Sequence, residues 1–164
     1  MAYTKYIIFK LDDRKYCMEL LHINGIEHDY NIVPMPCSAE NIKGIIKLRQ
    51  DVIPVFDIKN YFGMWDGNNH SDRQMLISET HGIKLGIEVD EVVGIVEEPD
   101  ERVQDVPVIA LGSDTRCFKK IISIVSSEKN GDEIVLCVSI DGIMSDEDFR
   151  RVTEALESRV EEED

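Results

Sequence analysis

Period-two alternation of apolar and polar positions dominates the chain. It is clearest where Ile83, Leu85, Ile87 and Val89 alternate with Lys84, Gly86 and Glu88, the pattern of a strand with one buried face. The run 74–78 precedes it across His81-Gly82, so the two predict a hairpin. Similar runs predict strands at 6–11 and 16–20 around a polar turn, and at 45–48 and 52–58 around Arg49-Gln50-Asp51. Others fall at 92–96, and at 121–125 and 134–138 around Asn130-Gly131, the last being a strong two-residue hairpin signal. Residues 21–28 are ambiguous and could open with a short helical turn and continue as a strand. Ile32 to Pro36 is extended or turned, because each proline pushes its predecessor out of the helical region. Residues 38–42 predict one helical turn capped by Ser38.

The period changes only at the C-terminus. Phe149, Val152, Leu156 and Val160 share one helical face. Ser145 is the expected N-cap, and Asp146, Glu147 and Asp148 suit a helix N-terminus. Residues 99–115 are weakly patterned and predict a loop with one short strand near Val108-Ile109. Asp66 to Asp72 holds no apolar residue and marks the best boundary. The expected division is therefore 1–70, 71–145 and a terminal helix with its acidic tail at 146–164. About ten short strands and one helix predict an all-β barrel or sandwich.

The hairpin at 44–58 is the most specific stretch. Pro54 lacks an N–H, which predicts an edge or a bulge there. Arg49 sits at its tip. From the residues alone it is a solvent-facing turn arginine or a local partner of Asp51. Gly44 reads as a kink at the strand entry.

This hairpin resembles the signature of the CheW-like family, the adaptors of bacterial chemotaxis. Lys43, Gly44, Leu48, Arg49, Pro54, Asp57, Phe62 and Gly63 match at the family's spacing. Lys47 stands where the family usually has Asn, and Gln50 where it usually has Gly. If the turn needs φ > 0 at Gln50, a non-glycine residue costs about 1 kcal/mol there. A second run resembles the family's other signature at Gly86, Ile87, Val89, Asp90 and Val92.

The resemblance implies two small five-stranded SH3-like β-barrels packed together, with a C-terminal helix. It implies a non-enzymatic adaptor without a cofactor. Its expected partners are the cytoplasmic signalling tip of methyl-accepting chemoreceptors and the regulatory domain of a histidine autokinase. Expected receptor contacts are Ile23, Gly44, Arg49 and Ile95; expected kinase contacts are Ile32 and Gly86. Arg49 becomes an interface anchor on this reading, since its planar five-donor fork suits a binding hot spot.

Composition narrows the alternatives. Hydrophobic residues make up 43% of the 164 positions, enough to build a core. No apolar run reaches the roughly 18 residues of a membrane span. The N-terminus lacks a signal-peptide pattern, so the expected location is the cytoplasm, with recruitment to membrane receptor arrays through partners. The net charge of −15 disfavours nucleic acid and direct binding to anionic membranes, and favours basic or mixed-charge protein partners. Cys17, Cys37, Cys117 and Cys137 form no Cys-x-x-Cys pair and read as buried thiols rather than a metal site or disulfide framework. The four histidines do not cluster into a catalytic or metal constellation. The rival readings are an adaptor of another chemosensory-type pathway and a small β-barrel ligand-binding domain.

Overall fold

The computed structural model describes residues 2–35, 41–64, 72–80, 82–106, 120–126, 131–143 and 146–162. Side chains are described for all of these except 125, 126, 131, 132 and 156–162. The expected cap residues Ser38 and Ser145, the linker 66–71, and Val108-Ile109 lie outside the described residues.

Two β units share the chain. The first comprises residues 1–22 and 91–143, the second 23–90 and 144–164. The division therefore does not fall into the sequential halves 1–70 and 71–145. The physical reason is strand pairing across a large sequence distance. β1 (Tyr3–Leu11) pairs with β2 (Arg14–Glu19) on one side and with β8 (Glu91–Pro99) on the other. β2 in turn pairs in parallel with β11 (Gly131–Cys137), which pairs with β10 (Lys120–Ser126), which pairs with β9 (Val103–Asp105). The resulting sheet is six-stranded, where five strands were expected, in the order β8-β1-β2-β11-β10-β9. Tyr6, Ile8, Cys17, Ile122 and Val135 form a core cluster of this unit.

The second unit is a five-stranded sheet in the order β3-β6-β7-β5-β4. Its strands are β3 (Ile23–Glu27), β4 (Ile42–Leu48), β5 (Asp51–Phe56), β6 (Gln74–Thr80) and β7 (Ile83–Val89). Ile46, Ile53, Val55, Met75 and Ile77 form its core cluster, with Tyr30, Ile32 and Leu48 packed against it. The expected single buried face of β7 is corrected, since Leu85 to Val89 are all buried.

The hairpins at 6–20, 45–58 and 74–89 form as the alternation predicts. The stretch read as a short helical turn continuing into a strand does so, with a 3₁₀ turn at Leu20–His22 followed by β3. Two local readings change. Gly131 already pairs with Ser126, so Asn130-Gly131 is not the centre of a two-residue turn. The weakly patterned region contains β9 at 103–105, which pairs with β10 and packs Val103 against the core cluster. A helix, α2 (Asp146–Glu162), ends the chain, with Phe149 and Val152 buried as expected. Among the described residues no helix is long and apolar enough to cross a membrane.

Candidate functional site

The signature hairpin of the second unit is built around close backbone approach. Val33 and Ile45 exchange two backbone hydrogen bonds, N–H to O at 2.8 and 2.9 Å. This lays the 30–33 segment over β4. A Cβ on Gly44 would lie 2.5 Å from the Val33 carbonyl oxygen and 2.8 Å from Ile32 Cγ2. Gly44 is buried, so the reason for glycine is intramolecular.

The same bridge explains Pro54, which was expected at an edge or a bulge. β5 is an inner strand, and the ladder irregularity lies between Ile42 and Gly44. Pro54 sits opposite Ile45, whose N–H and C=O both turn away toward Val33. At a position of that kind the missing proline N–H removes no bond to β4.

Asp57, Phe62 and Gly63 terminate a short helix, α1 (Ile58–Tyr61). Asp57 Oδ1 accepts from the Asn60 N–H at 3.1 Å, an N-cap bond. Gly63 has φ +73. Its N–H donates to Asn60 O and the Met64 N–H to Lys59 O, the paired bonds of a Schellman motif.

Lys43 and Asp90, one from each signature, belong to a buried ion network that the sequence reading missed. Glu88 Oε1 accepts from Lys43 Nζ at 2.6 Å and from an Arg73 terminal nitrogen at 3.1 Å; Oε2 accepts from the Tyr30 hydroxyl at 2.6 Å. Asp90 pairs with Lys59 at 2.7 Å. It also approaches Arg73 Nε at 3.2 Å, an ion pair by distance without hydrogen-bond alignment. Lys59 and Arg73 are 6% exposed and Glu88 9%, so solvent screens these charges poorly. Burial pushes the Glu88 carboxyl up, but the hydrogen bonds from Lys43 and Tyr30 and the Lys43 charge pull harder, and its pKa falls below the ordinary value. Burial, then the bond to Glu88, push the Tyr30 hydroxyl well up, so it stays a donor. Together with His28, Asp29 and Ile32, the Tyr30, Lys43, Arg73 and Glu88 side chains line a cleft of about 390 Å³. Tyr30, Lys43 and Arg73 all converge on Glu88, and the arrangement ties Tyr30 and the segment after it to the sheet.

Arg49 is different. It is exposed at the two-residue loop between Leu48 and Asp51, and Asp51 pairs with Lys84 at 2.8 Å rather than with Arg49. Its φ is +57, whereas Gln50 is not among the positive-φ residues. The φ signs are those of a type II′ turn. The left-handed residue is thus Arg49, and the concern about Gln50 is misplaced. We predict that Arg49→Gly is more stable than Gln50→Gly by about 1 kcal/mol, since only the first relieves a left-handed non-glycine residue. Paired denaturant titrations check this; the opposite order would place the strain at Gln50.

The other expected contacts scatter. Ile23 is half-buried at the start of β3. Ile95, on β8 of the first unit, is 57% exposed beside the exposed Val93. Ile32 is half-buried against the second unit's core. Gly86 is buried between its partners Ile77 and Val55, and a Cβ there would meet Met75 Sδ at 2.9 Å. Gly44 and Gly86 therefore act through packing, not as surface contacts. Cys17 is buried, Cys137 is half-buried, and both are free thiols; Cys37 and Cys117 lie outside the described residues.

Two sheet units of this kind are the fold of the SH3-like chemotaxis scaffolds. The structure matches the crystal structure of the scaffolding protein TtCheW from Thermoanaerobacter tengcongensis at a TM-score of 0.72 and 25% identity, covering 85% of this chain and 90% of that one. The chain belongs to the CheW-like domain family, which it matches over residues 5–148. It is similar to the chemotaxis protein CheW of Klebsiella aerogenes, 21% identical over 94% of this chain and 89% of that protein. A probable chemotaxis protein CheW of Rhizobium etli is 25% identical over 72% of this chain and 76% of its own length. The CheW of Treponema pallidum is 24% identical over 65% of each chain, so this chain spans slightly under two thirds of that relative.

Proposed function

We propose that this chain is a non-enzymatic adaptor coupling methyl-accepting chemoreceptors to a histidine autokinase. On this reading it works in the cytoplasm and reaches membrane receptor arrays through its partners. The observation that carries the proposal is the division of labour within the signature hairpin. Gly44, Pro54, Asp57 and Gly63 have intramolecular roles, and Lys43 is bonded to Glu88. Arg49 alone of the charged signature residues projects from an exposed turn. Ile23 and Ile95 are the further receptor contacts on this reading, and Ile32 and Gly86 mark the kinase-facing region. The polar cleft at Glu88 favours no ligand-binding alternative, since both carboxylate oxygens already accept hydrogen bonds from within the chain. Such an adaptor transmits signal through contacts that differ in free energy between the kinase-on and kinase-off assemblies.

Arg49→Ala tests the proposal. The variant keeps its fold, with a stability change within about 0.5 kcal/mol, as for an exposed turn side chain. It loses roughly fivefold or more in affinity for a receptor signalling fragment, and much less for the kinase regulatory domain. Parallel titrations against both partners read this out. Unchanged receptor affinity removes Arg49 from the interface; failure of the wild type to bind either partner removes the adaptor reading.

A further inference from the structure

The first unit places two free thiols directly opposite each other. β2 and β11 run parallel, and their described pairing has two matched positions, Leu136 with Tyr16 and Cys137 with Cys17. Adjacent strands lie about 4.8 Å apart, which brings matched Cα atoms inside the range that a disulfide spans. Val138 N–H donates to Cys17 O at 2.8 Å, fixing the register at this point. Both side chains belong to one core, Cys17 within its buried cluster and Cys137 packed against that cluster.

Their surroundings are unequal. Cys17 is fully buried in the unit's core cluster. Cys137 lines a cleft of about 150 Å³ with Glu19, His22, Lys120 and Ser139, room for a molecule somewhat larger than water. Lys120 sits directly opposite Cys137 in the β10–β11 ladder. The Cys17 hydrogen bond and the Lys120 charge favour the Cys137 thiolate, against burial and the Glu19 carboxylate, and its pKa is lowered. The hydrogen bond and burial push the Cys17 thiol up. A partly exposed thiol opposite a lysine, with a second thiol at the matched position of the next strand, is the setting of a reactive cysteine and its resolving partner.

We propose that Cys137 and Cys17 form a peroxide-responsive dithiol, with Cys137 the site of oxidation and Cys17 the resolving thiol. The Cys137 thiolate attacks one oxygen of a hydroperoxide. An S–O bond forms, the O–O bond breaks, and the departing oxygen takes a proton and leaves as water or an alcohol. The peroxide is reduced by two electrons and Cys137 becomes a sulfenic acid. The Cys17 sulfur then displaces hydroxide from Cys137; its own proton goes to that hydroxide, giving water and a Cys17–Cys137 disulfide. The bond closes a loop of more than a hundred residues, and cross-links across long loops constrain the unfolded chain most. The β2–β11 pairing would gain a covalent staple at one of its two matched positions.

The test uses the full chain carrying Cys37→Ser and Cys117→Ser, alongside the wild type. Each is treated with a slight excess of hydrogen peroxide, unfolded, alkylated and weighed intact. The expected product has lost two hydrogens, resists alkylation at both thiols, and yields one cross-linked peptide pair containing Cys17 and Cys137. Its Tm rises by roughly 5–10 °C, and dithiothreitol reverses both changes. In C17S, a sulfenic acid accumulates at Cys137 and is trapped by dimedone; in C137S, Cys17 stays reduced. Both thiols alkylating after peroxide, Cys137 advancing to a sulfinic acid without a cross-link, or a disulfide between two chains would each overturn the proposal. If the variants do not fold, peptide mapping of the oxidised wild type decides between the same outcomes.

Discussion

Replacing Glu88 with alanine is expected to destabilise the protein by about 3 kcal/mol or more. The carboxylate is the common acceptor for Lys43, Arg73 and Tyr30. Removing one partner of a buried ion pair leaves the other charge desolvated, which typically costs 3–5 kcal/mol. Arg73 keeps its Asp90 contact, which places the estimate near the lower end. Denaturant unfolding measures the effect, and a loss below about 1 kcal/mol would mean that solvent reaches the network. The pH dependence follows from the same carboxyl. Its folded pKa is depressed, so its stabilisation is complete above the unfolded value of about 4.3 and is lost as the pH falls from there through the folded value. Glu88→Gln is therefore expected to flatten the acid limb of the Tm–pH profile below about pH 5. An unchanged acid limb would assign the acid sensitivity to other carboxylates.

Gly44→Ala is expected to cost about 2–3 kcal/mol, the upper range for overpacking. The new methyl would meet a backbone carbonyl at 2.5 Å, and backbone cannot step aside as a flexible side chain does. The 30–33 segment must lift, taking the two Val33–Ile45 hydrogen bonds with it. Amide hydrogen exchange should accelerate at Val33 and Ile45 while the β6–β7 ladder keeps its protection. Full protection at Val33 in the variant would show that the bridge tolerates the methyl.

These two expectations mark where sequence reasoning stopped. Hairpins were legible because strand, turn and strand are contiguous, and alternation reports them directly. Phe149 and Val152 gave the terminal helix by spacing. α1 was missed although its signals are local: Asp57 with Asn60 three residues on, and Gly63 just past the end, are ordinary start and stop marks. β9 was missed because three residues carry no period, and its strand character comes from β10. Glu88 was read as a solvent-facing position of an alternating strand. Nothing nearby announces that Tyr30, Lys43 and Arg73, up to 58 residues away, converge on it. The signature residues matched by resemblance gather on one hairpin, and the geometry divides them into residues that hold it together and one that projects from it. The sequential division failed for the same non-local reason, since β1 finds its second partner at β8.

That interleaving sets an order of assembly on the ribosome. Every strand of the five-stranded sheet, β3 through β7, has been synthesised once Val89 emerges. The N-terminal hairpin, although made first, must wait for β8, and β2 must wait until β11 has been translated. Pairings at such sequence separation carry a high loop-closure cost and form slowly. The nascent chain thus has every strand of its middle sheet before the sheet begun by its first strand can close. Until residues 91–137 are out, β1 and β2 expose unpaired edges to whatever chaperone or neighbouring chain is close by.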